Sequence, residues 1–277
     1  MPAVDLNQLA VGTVLALAVV MLSYYVEMLS RSGAIAAFFL GSLVFGLGGI
    51  PLALLLLGFF IPSSALSLLF KKRKASVENN YEKGSRRDGF QVLANGGMAG
   101  GMALLHLVLP GSPLPWLAAA AALAGASADT WATELGALSR HDPILISNGR
   151  RVPKGTSGGI SLAGILASLG GAVLIAILFF FLPPPGLDRI RSVEYAAVIV
   201  LSGLIGSLVD SWLGATLQAM YYCPVCQKET EKHPLHGCGT PTYQLRGWNW
   251  LNNDWVNLAC TLSAAVTAIL LLSVLQL

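Results

Sequence analysis

Apolar runs long enough to cross roughly 30 Å of hydrocarbon recur from one end of the chain to the other, separated by short segments rich in charge, proline or glycine. A soluble fold has no use for so many, and one anchor on a soluble domain accounts for only one of them. Only 11% of the 277 residues are charged, against about 25% in soluble globular domains. The runs predict an all-α polytopic transmembrane helix bundle, with spans near 9–29, 33–49, 51–70, 90–109, 115–136, 157–182, 195–217 and 255–275, about eight in all. Residues 1–70 then form an N-terminal three-helix segment. Residues 71–277 form a second transmembrane domain whose loops include a cysteine-containing one at 218–254.

With 17 basic and 14 acidic residues the net charge is +3, too small to suggest a nucleic-acid partner. Its distribution says more. An outside N-terminus puts Arg31, Lys71, Lys72, Arg73, Lys74, Lys83, Arg86, Arg87, Arg140, Arg150, Arg151, Lys154, Lys228, Lys232 and Arg246 in cytoplasmic loops, leaving Arg189 and Arg191 opposite. That segregation follows the positive-inside bias and places both termini outside. The membrane is the inner or plasma membrane if the cell is prokaryotic. The first apolar stretch lacks a basic n-region, so no cleavable leader is expected.

Polar residues continue from these loops into the spans. Asp88, Gln91 and Asn95 are spaced i, i+3, i+7 and share a helix face, followed by the small-residue pairs Gly96/Gly100 and Gly97/Gly101. The glycines read as a packing seam; Asp88 and Asn95 read equally as interhelical glue or as a site. The fifth span ends Gly125-Ala-Ser-Ala-Asp129-Thr130-Trp131-Ala-Thr133-Glu134, and the seventh ends Gly206-Ser-Leu-Val-Asp210-Ser211-Trp212. Their common pattern predicts a parallel internal repeat, spans four and five against six and seven, bringing Asp129 and Asp210 to one depth. Buried carboxylates need a cation, a base or water, and a converging pair suits Mg²⁺.

Between those spans, Asn148-Gly149-Arg150-Arg151-Val152-Pro153-Lys154-Gly155-Thr156-Ser157-Gly158-Gly159 leads toward a helix N-terminus. Glycine backbone, the helix dipole and Lys154 make a phosphate-binding corner, with Thr156 or Ser157 as the helix cap; a capped helix start alone is the plainer reading. The order of a Walker A loop is absent. Cys223-Pro-Val-Cys226, followed by Cys238 and either His236 or His233, suits structural zinc better than free thiols or a secreted disulfide framework. Cys260 reads as a buried apolar residue. Near the last span Asn253 and Asn257 share a face, Asp254 sits in the first turn, Asn252 or Asn253 suits the cap, and the tryptophans read as an interfacial belt.

Arg86 through Gly97, Ala128 through Gly136, Gly155 through Ser161, Asp210 through Gln218 and Asn252 through Asn257 together resemble an integral-membrane family long catalogued as a domain of unknown function. Its characterised plant member is the chloroplast phytyl-phosphate kinase of vitamin E synthesis. The resemblance implies a kinase that adds a second phosphate, from CTP or ATP, to a membrane-borne isoprenyl monophosphate. More distantly the chain is similar to phytol kinases, dolichol kinases and CTP-dependent phosphatidate cytidylyltransferases. On this chemistry Asp129 and Asp210 hold Mg²⁺, and Lys154, Arg86, Arg87, Thr156, Ser157, Gly158 and Gly159 take phosphates. Asn95, Glu134, Asn253 and Asp254 orient them, with Asp88 and Asn257 in the same binding set, and no strong general base is required. The expected partners are an isoprenyl phosphate lipid, a nucleoside triphosphate and membrane lipids; a homodimer is open. A lipid cytidylyltransferase or a prenol kinase is the alternative enzyme. A membrane transporter is the alternative of another class, motivated by the buried acids and the repeat, with His106 as its one outer polar residue.

Overall fold

The computed structural model describes residues 5–70, 84–184, 187 and 189–275; Lys71 to Lys74 and Lys83 lie outside the described residues. Among the described residues the helices are α1 (Leu6–Tyr25), α2 (Arg31–Phe70), α3 (Gly89–Val108), α4 (Leu114–Gly136), α5 (Leu162–Phe181), α6 (Arg189–Thr216) and α7 (Asn253–Leu275). The chain is mostly helical, but the loops correct a strictly all-α expectation. β1 (Ile144–Leu145) pairs antiparallel with β2 (Gly159–Ile160), and β3 (Met220–Cys223) lies between β4 (Lys228–Thr230) and β5 (Tyr243–Arg246). Loops of this length must satisfy their own backbone groups, and hairpins do so locally.

The helix ends follow local chemistry. Asp88 and Gln91 form a capping box at the start of α3, Asn252 Oδ1 accepts from Asp254 N at 3.1 Å at the start of α7, and Ser161 caps α5 by accepting from Gly164 N at 3.1 Å. The sixth span therefore begins at Leu162 rather than 157, and neither Thr156 nor Ser157 is its cap.

At 40 residues, α2 would run about 60 Å if straight, twice the thickness of hydrocarbon. Gly49 breaks it with φ 63° and ψ −167°, a conformation essentially reserved for glycine. Residues on the two sides of the break then reach the same neighbours. The Arg87 guanidinium lies over Phe59 and Phe60 at 4.8 and 5.8 Å while Gly33 abuts the Arg87 carbonyl, and Gly96 of α3 abuts both Leu40 and Leu56. The halves of α2 lie side by side, and the chain doubles back at Gly49. Of the two small-residue pairs on α3, Gly96/Gly100 forms the seam with Leu40, while Gly97 and Gly101 face open space.

α4 occupies the centre, packed against α2, α3, α5, α6 and α7. Leu117 to Ala128 are all buried, and most are alanine, which lets the neighbours approach closely. A helix sheathed by protein needs small side chains more than lipid-soluble ones. Accordingly α1, α2, α5, α6 and α7 are long and apolar enough to cross a membrane by themselves, whereas α3 and α4, 20 and 23 residues long, are less apolar. Leu6, Ile35, Phe39, Leu162 and Val274 are exposed, as suits a surface facing lipid.

Directions follow from contacts. α4 and α6 run the same way, with Gly203 against Ala124 at mid-helix and Asp210 beside Asp129 nearer the C-terminal ends. α5 runs against α4, its Gly164 abutting Gly136 and its Gly171 abutting Ser127. The C-terminal ends of α2, α4 and α6 thus gather with the N-terminal ends of α3, α5 and α7.

Candidate functional site

That gathered end encloses a cavity of about 440 Å³, in the range of small-molecule sites. Its wall takes Ser67 from α2, Arg87, Gln91 and Asn95 from the start of α3, and Asp129, Thr130, Thr133 and Glu134 from α4. Lys154 through Ser161 form one side, and Ser207, Asp210, Ser211, Glu231, Asn253 and Asn257 complete it. The structure therefore brings together Asp129, Asp210, Lys154, Glu134, Arg87, Asn95, Thr156, Ser157, Gly158, Gly159, Asn253 and Asn257.

Asp129 and Asp210 meet as hydrogen-bonding neighbours, and the buried Oδ2 of Asp210 has no hydrogen-bond partner among the described residues. Glu231 adds a third carboxylate near Asp210. Carboxylates this close are held together by a shared proton or a cation. An all-oxygen donor set with an unused buried lone pair fits a hard ion such as Mg²⁺.

Glu134, about 140° around the helix from Asp129 on a regular α-helical repeat, turns to other partners. The Ser67 hydroxyl donates to its Oε1 at 2.8 Å, and it is the countercharge of Arg87. Burial pushes the Arg87 guanidinium down to about 10 and Glu134 opposes this, so the group is cationic at neutral pH.

The glycine corner is held from behind. Gly158 has φ +82°, and a Cβ there would fall 2.4 Å from the Ala215 backbone nitrogen, so only glycine lets the loop lie on the end of α6. Ser157 Oγ donates to Gln218 Oε1 at 2.6 Å, and Gln218 Nε2 donates to Glu231 Oε1 at 3.0 Å. The Thr156 hydroxyl donates to the Pro153 carbonyl at 2.7 Å, and Lys154 Nζ donates to the Ser139 carbonyl.

Three residues expected in the binding set lie off the cavity wall. Arg86 pairs with Glu27 on the surface, Asp88 spends its carboxylate on the N-cap of α3, and Asp254 is buried off the face that Asn253 and Asn257 present. Of the three, Asp88 is the one whose side chain serves its helix start. Conversely Ser67 and Glu231 join the site although no motif in the sequence marks them, and Gln218 joins it from the end of the motif Asp210 through Gln218. Ser67 is one hydroxyl in an apolar helix end, and Glu231 reaches the cavity only because β4 folds back on β3.

In the loop after α6, Cys223, Cys226, His236 and Cys238 place their ligand atoms within 4.8 Å of one another. His233, the alternative ligand, lies outside that group and stacks on Tyr221 at 4.4 Å between centroids. Hydrogen bonding with Thr240 and with His236 pulls the Cys238 thiol down to about 5, while hydrogen bonding with Cys238 pushes the Cys226 thiol up to about 11. Cys260 is buried in α7, as expected of an apolar residue.

No solved structure matches the chain. Among curated proteins it is 34% identical to "Protein PGR" of Arabidopsis thaliana over 253 residues, covering 85% of this chain and 86% of that protein. It is 28% identical to "Protein VTE6, chloroplastic" of the same plant, covering 88% of this chain and 65% of the relative. An uncharacterized membrane protein of Methanocaldococcus jannaschii, MJ0933, is 29% identical over 69% of this chain and 75% of its own length. Residues 14–265 match the family described as integral membrane protein DUF92, and with 34% identity to a relative across most of both chains, this protein belongs to that DUF92 integral membrane family.

Proposed function

We propose that the protein is a membrane-embedded isoprenyl-monophosphate kinase, which moves the γ-phosphate of CTP or ATP onto a lipid monophosphate to give the diphosphate. The observation that carries this reading is the single cavity in which the Asp129 and Asp210 carboxylates face Lys154, Arg87 and a glycine-built loop. Phosphoryl transfer asks a protein for positioning and charge neutralisation, and those are what this wall offers. The motif resemblance to the plant phytyl-phosphate kinase, and the relative named VTE6, point the same way.

Asp129 and Asp210 hold Mg²⁺, which when bound neutralises charge on the phosphate oxygens. Lys154, Arg87 and the Gly155 to Gly159 backbone orient the phosphates. Glu134 and Ser67 fix Arg87. The acceptor oxygen belongs to a phosphate monoester, already ionised at neutral pH, so no side chain has to remove a proton.

A second, apolar pocket of about 60 Å³ lies between α1, α2 and α3, lined by Ala16, Val20, Leu40, Phe60 and Gly96, and it also reaches Arg87. Arg87 borders both spaces. A pocket of this size would take only the phosphate-proximal end of an isoprenyl tail, leaving the rest in lipid and the phosphate at Arg87 beside the polar cavity. The exposed Trp212, Trp248, Trp250 and Trp255 gather at this end of the bundle, the residue type of the headgroup level. Eight crossings, two of them from the doubled-back α2, would put both termini outside and the cavity on the cytoplasmic face. In this reading α4 and α6 are the carboxylate-bearing arms of a parallel repeat.

A transporter is disfavoured because the bundle above the carboxylates is filled by the buried Leu117 to Ala128 segment, and His106 packs edge-on against Trp116 at 5.4 Å. The test is to incubate purified protein and Mg²⁺ with CTP or ATP and a panel of isoprenyl monophosphates and alcohols, and to weigh the products. An isoprenyl diphosphate supports the reading. A cytidine-bearing lipid with released pyrophosphate would make it a cytidylyltransferase, phosphorylation of the alcohols alone a prenol kinase, and no lipid product would refute a kinase.

A further inference from the structure

The loop after α6 carries chemistry that the kinase reading does not use. β3 and β4 pair in the register Cys223↔Lys228 and Tyr221↔Thr230, so the Cys-Pro-Val-Cys segment forms the tip of a hairpin. At that tip Cys226 N donates to Cys223 Sγ at 3.5 Å. A second tight turn faces it, closed by His236 N to the Thr240 carbonyl at 2.9 Å and by Gly239 N to the His236 carbonyl at 2.8 Å. Cys223 Sγ and Cys238 Sγ are 3.6 Å apart, and His236 Nδ1 and Cys238 Sγ are 3.2 Å apart. A disulfide would need about 2.05 Å. Bonds of about 2.1 Å to nitrogen and 2.3 Å to sulfur place the corners of a tetrahedral zinc site roughly 3.6–3.8 Å apart; Cys223 and Cys238 stand at that spacing, His236 and Cys238 are somewhat closer, and all four ligand atoms lie within 4.8 Å of one another.

The hairpin is tied to the cavity at two points. Beyond β4 the chain turns Glu231 onto the cavity wall, where it accepts from Gln218, which itself accepts from Ser157. On β5, Arg246 Nη1 donates to the Gly214 carbonyl at 2.8 Å, at the end of α6.

We propose that Cys223, Cys226, His236 and Cys238 hold one structural zinc ion, and that the metal-held hairpin positions Glu231, through Gln218, so as to fix Ser157 in the glycine corner. The metal site is independent of the kinase reading; only the presence of phosphate at that corner rests on it. Glu231 is thus a positioning residue.

The experiment measures metal content and backbone exchange, neither of which depends on turnover. Protein purified in detergent from zinc-supplemented cells should carry one zinc per chain. Its Co²⁺-substituted form should show the intense visible bands of a tetrahedral thiolate site. Cys226→Ser with Cys238→Ser should remove both signals. In the wild-type chain, stripping the metal should raise amide exchange in residues 155–160 and 228–231 by about tenfold or more, with 117–126 unchanged. Glu231→Gln should keep the zinc and the Co²⁺ spectrum yet loosen 155–160. Absence of metal, or a Cys223–Cys238 disulfide in its place, would overturn the zinc site. Undiminished zinc in the double variant would overturn the ligand set, and unchanged exchange at 155–160 after stripping would overturn the coupling.

Discussion

At the residue scale, the site is a matter of which polar groups the helix ends consume and which they leave for a ligand. Asp88 and Asn252 are consumed as caps. Asp129, Asp210, Lys154 and Asn257 lie in the cavity wall. That division explains what could be read from the sequence. A carboxylate inside an apolar run, such as Asp129 or Asp210, has no structural use that repays its burial, so its chemistry shows in one dimension. Asp88, Arg86 and Asp254 stand beside helix starts, where caps and surface pairs draw on the same residue types, and their use shows only in three. Arg87 gives a direct prediction. Its planar guanidinium covers Phe59 and Phe60 while facing the cavity, so Arg87→Lys keeps the charge and loses the stacking and the fork. Steady-state kinetics should show KM for the lipid phosphate raised by about tenfold, with the KM for nucleotide less affected. Gly158→Ala should distort the corner, costing about 1–3 kcal/mol, measurable as lower thermal stability in detergent together with weaker phosphate binding.

At the scale of elements, the central position of α4 gives its alanines their meaning. The run from Ala118 to Ala122 is buried on all sides, so Ala121→Leu should destabilise by about 1–3 kcal/mol through overpacking. Ile35→Leu on an exposed face of α2 should leave the unfolding midpoint unchanged. The apolar runs made most helices legible, because hydrocarbon thickness fixes their length. The reversal inside α2 is legible in the sequence as the break between the runs 33–49 and 51–70, whereas the left-handed backbone conformation of Gly49 that makes it is not. The small sheets escaped because β1 and β2 are two residues each, too short for a period-two pattern, and because β3 and β5 pair across the intervening cysteine turns.

At the scale of the whole molecule, the polar cavity, the tryptophan cluster and the hairpin with its cysteines all occupy one end of the bundle. An even number of crossings with this end in the cytoplasm predicts an active alkaline phosphatase and a dark green fluorescent protein when each is fused to the C-terminus in a bacterial host. The opposite pair of signals would invert the topology and move the nucleotide site away from the cytoplasm.

The central claim is that Asp129 and Asp210 share one divalent ion. Electron paramagnetic resonance of Mn²⁺ titrated into the zinc-loaded protein tests it most directly. The account predicts one bound Mn²⁺ per chain, held more tightly when CTP or ATP is present and lost in both Asp129→Asn and Asp210→Asn while each variant stays folded. Mn²⁺ binding of undiminished affinity in the two variants would contradict it.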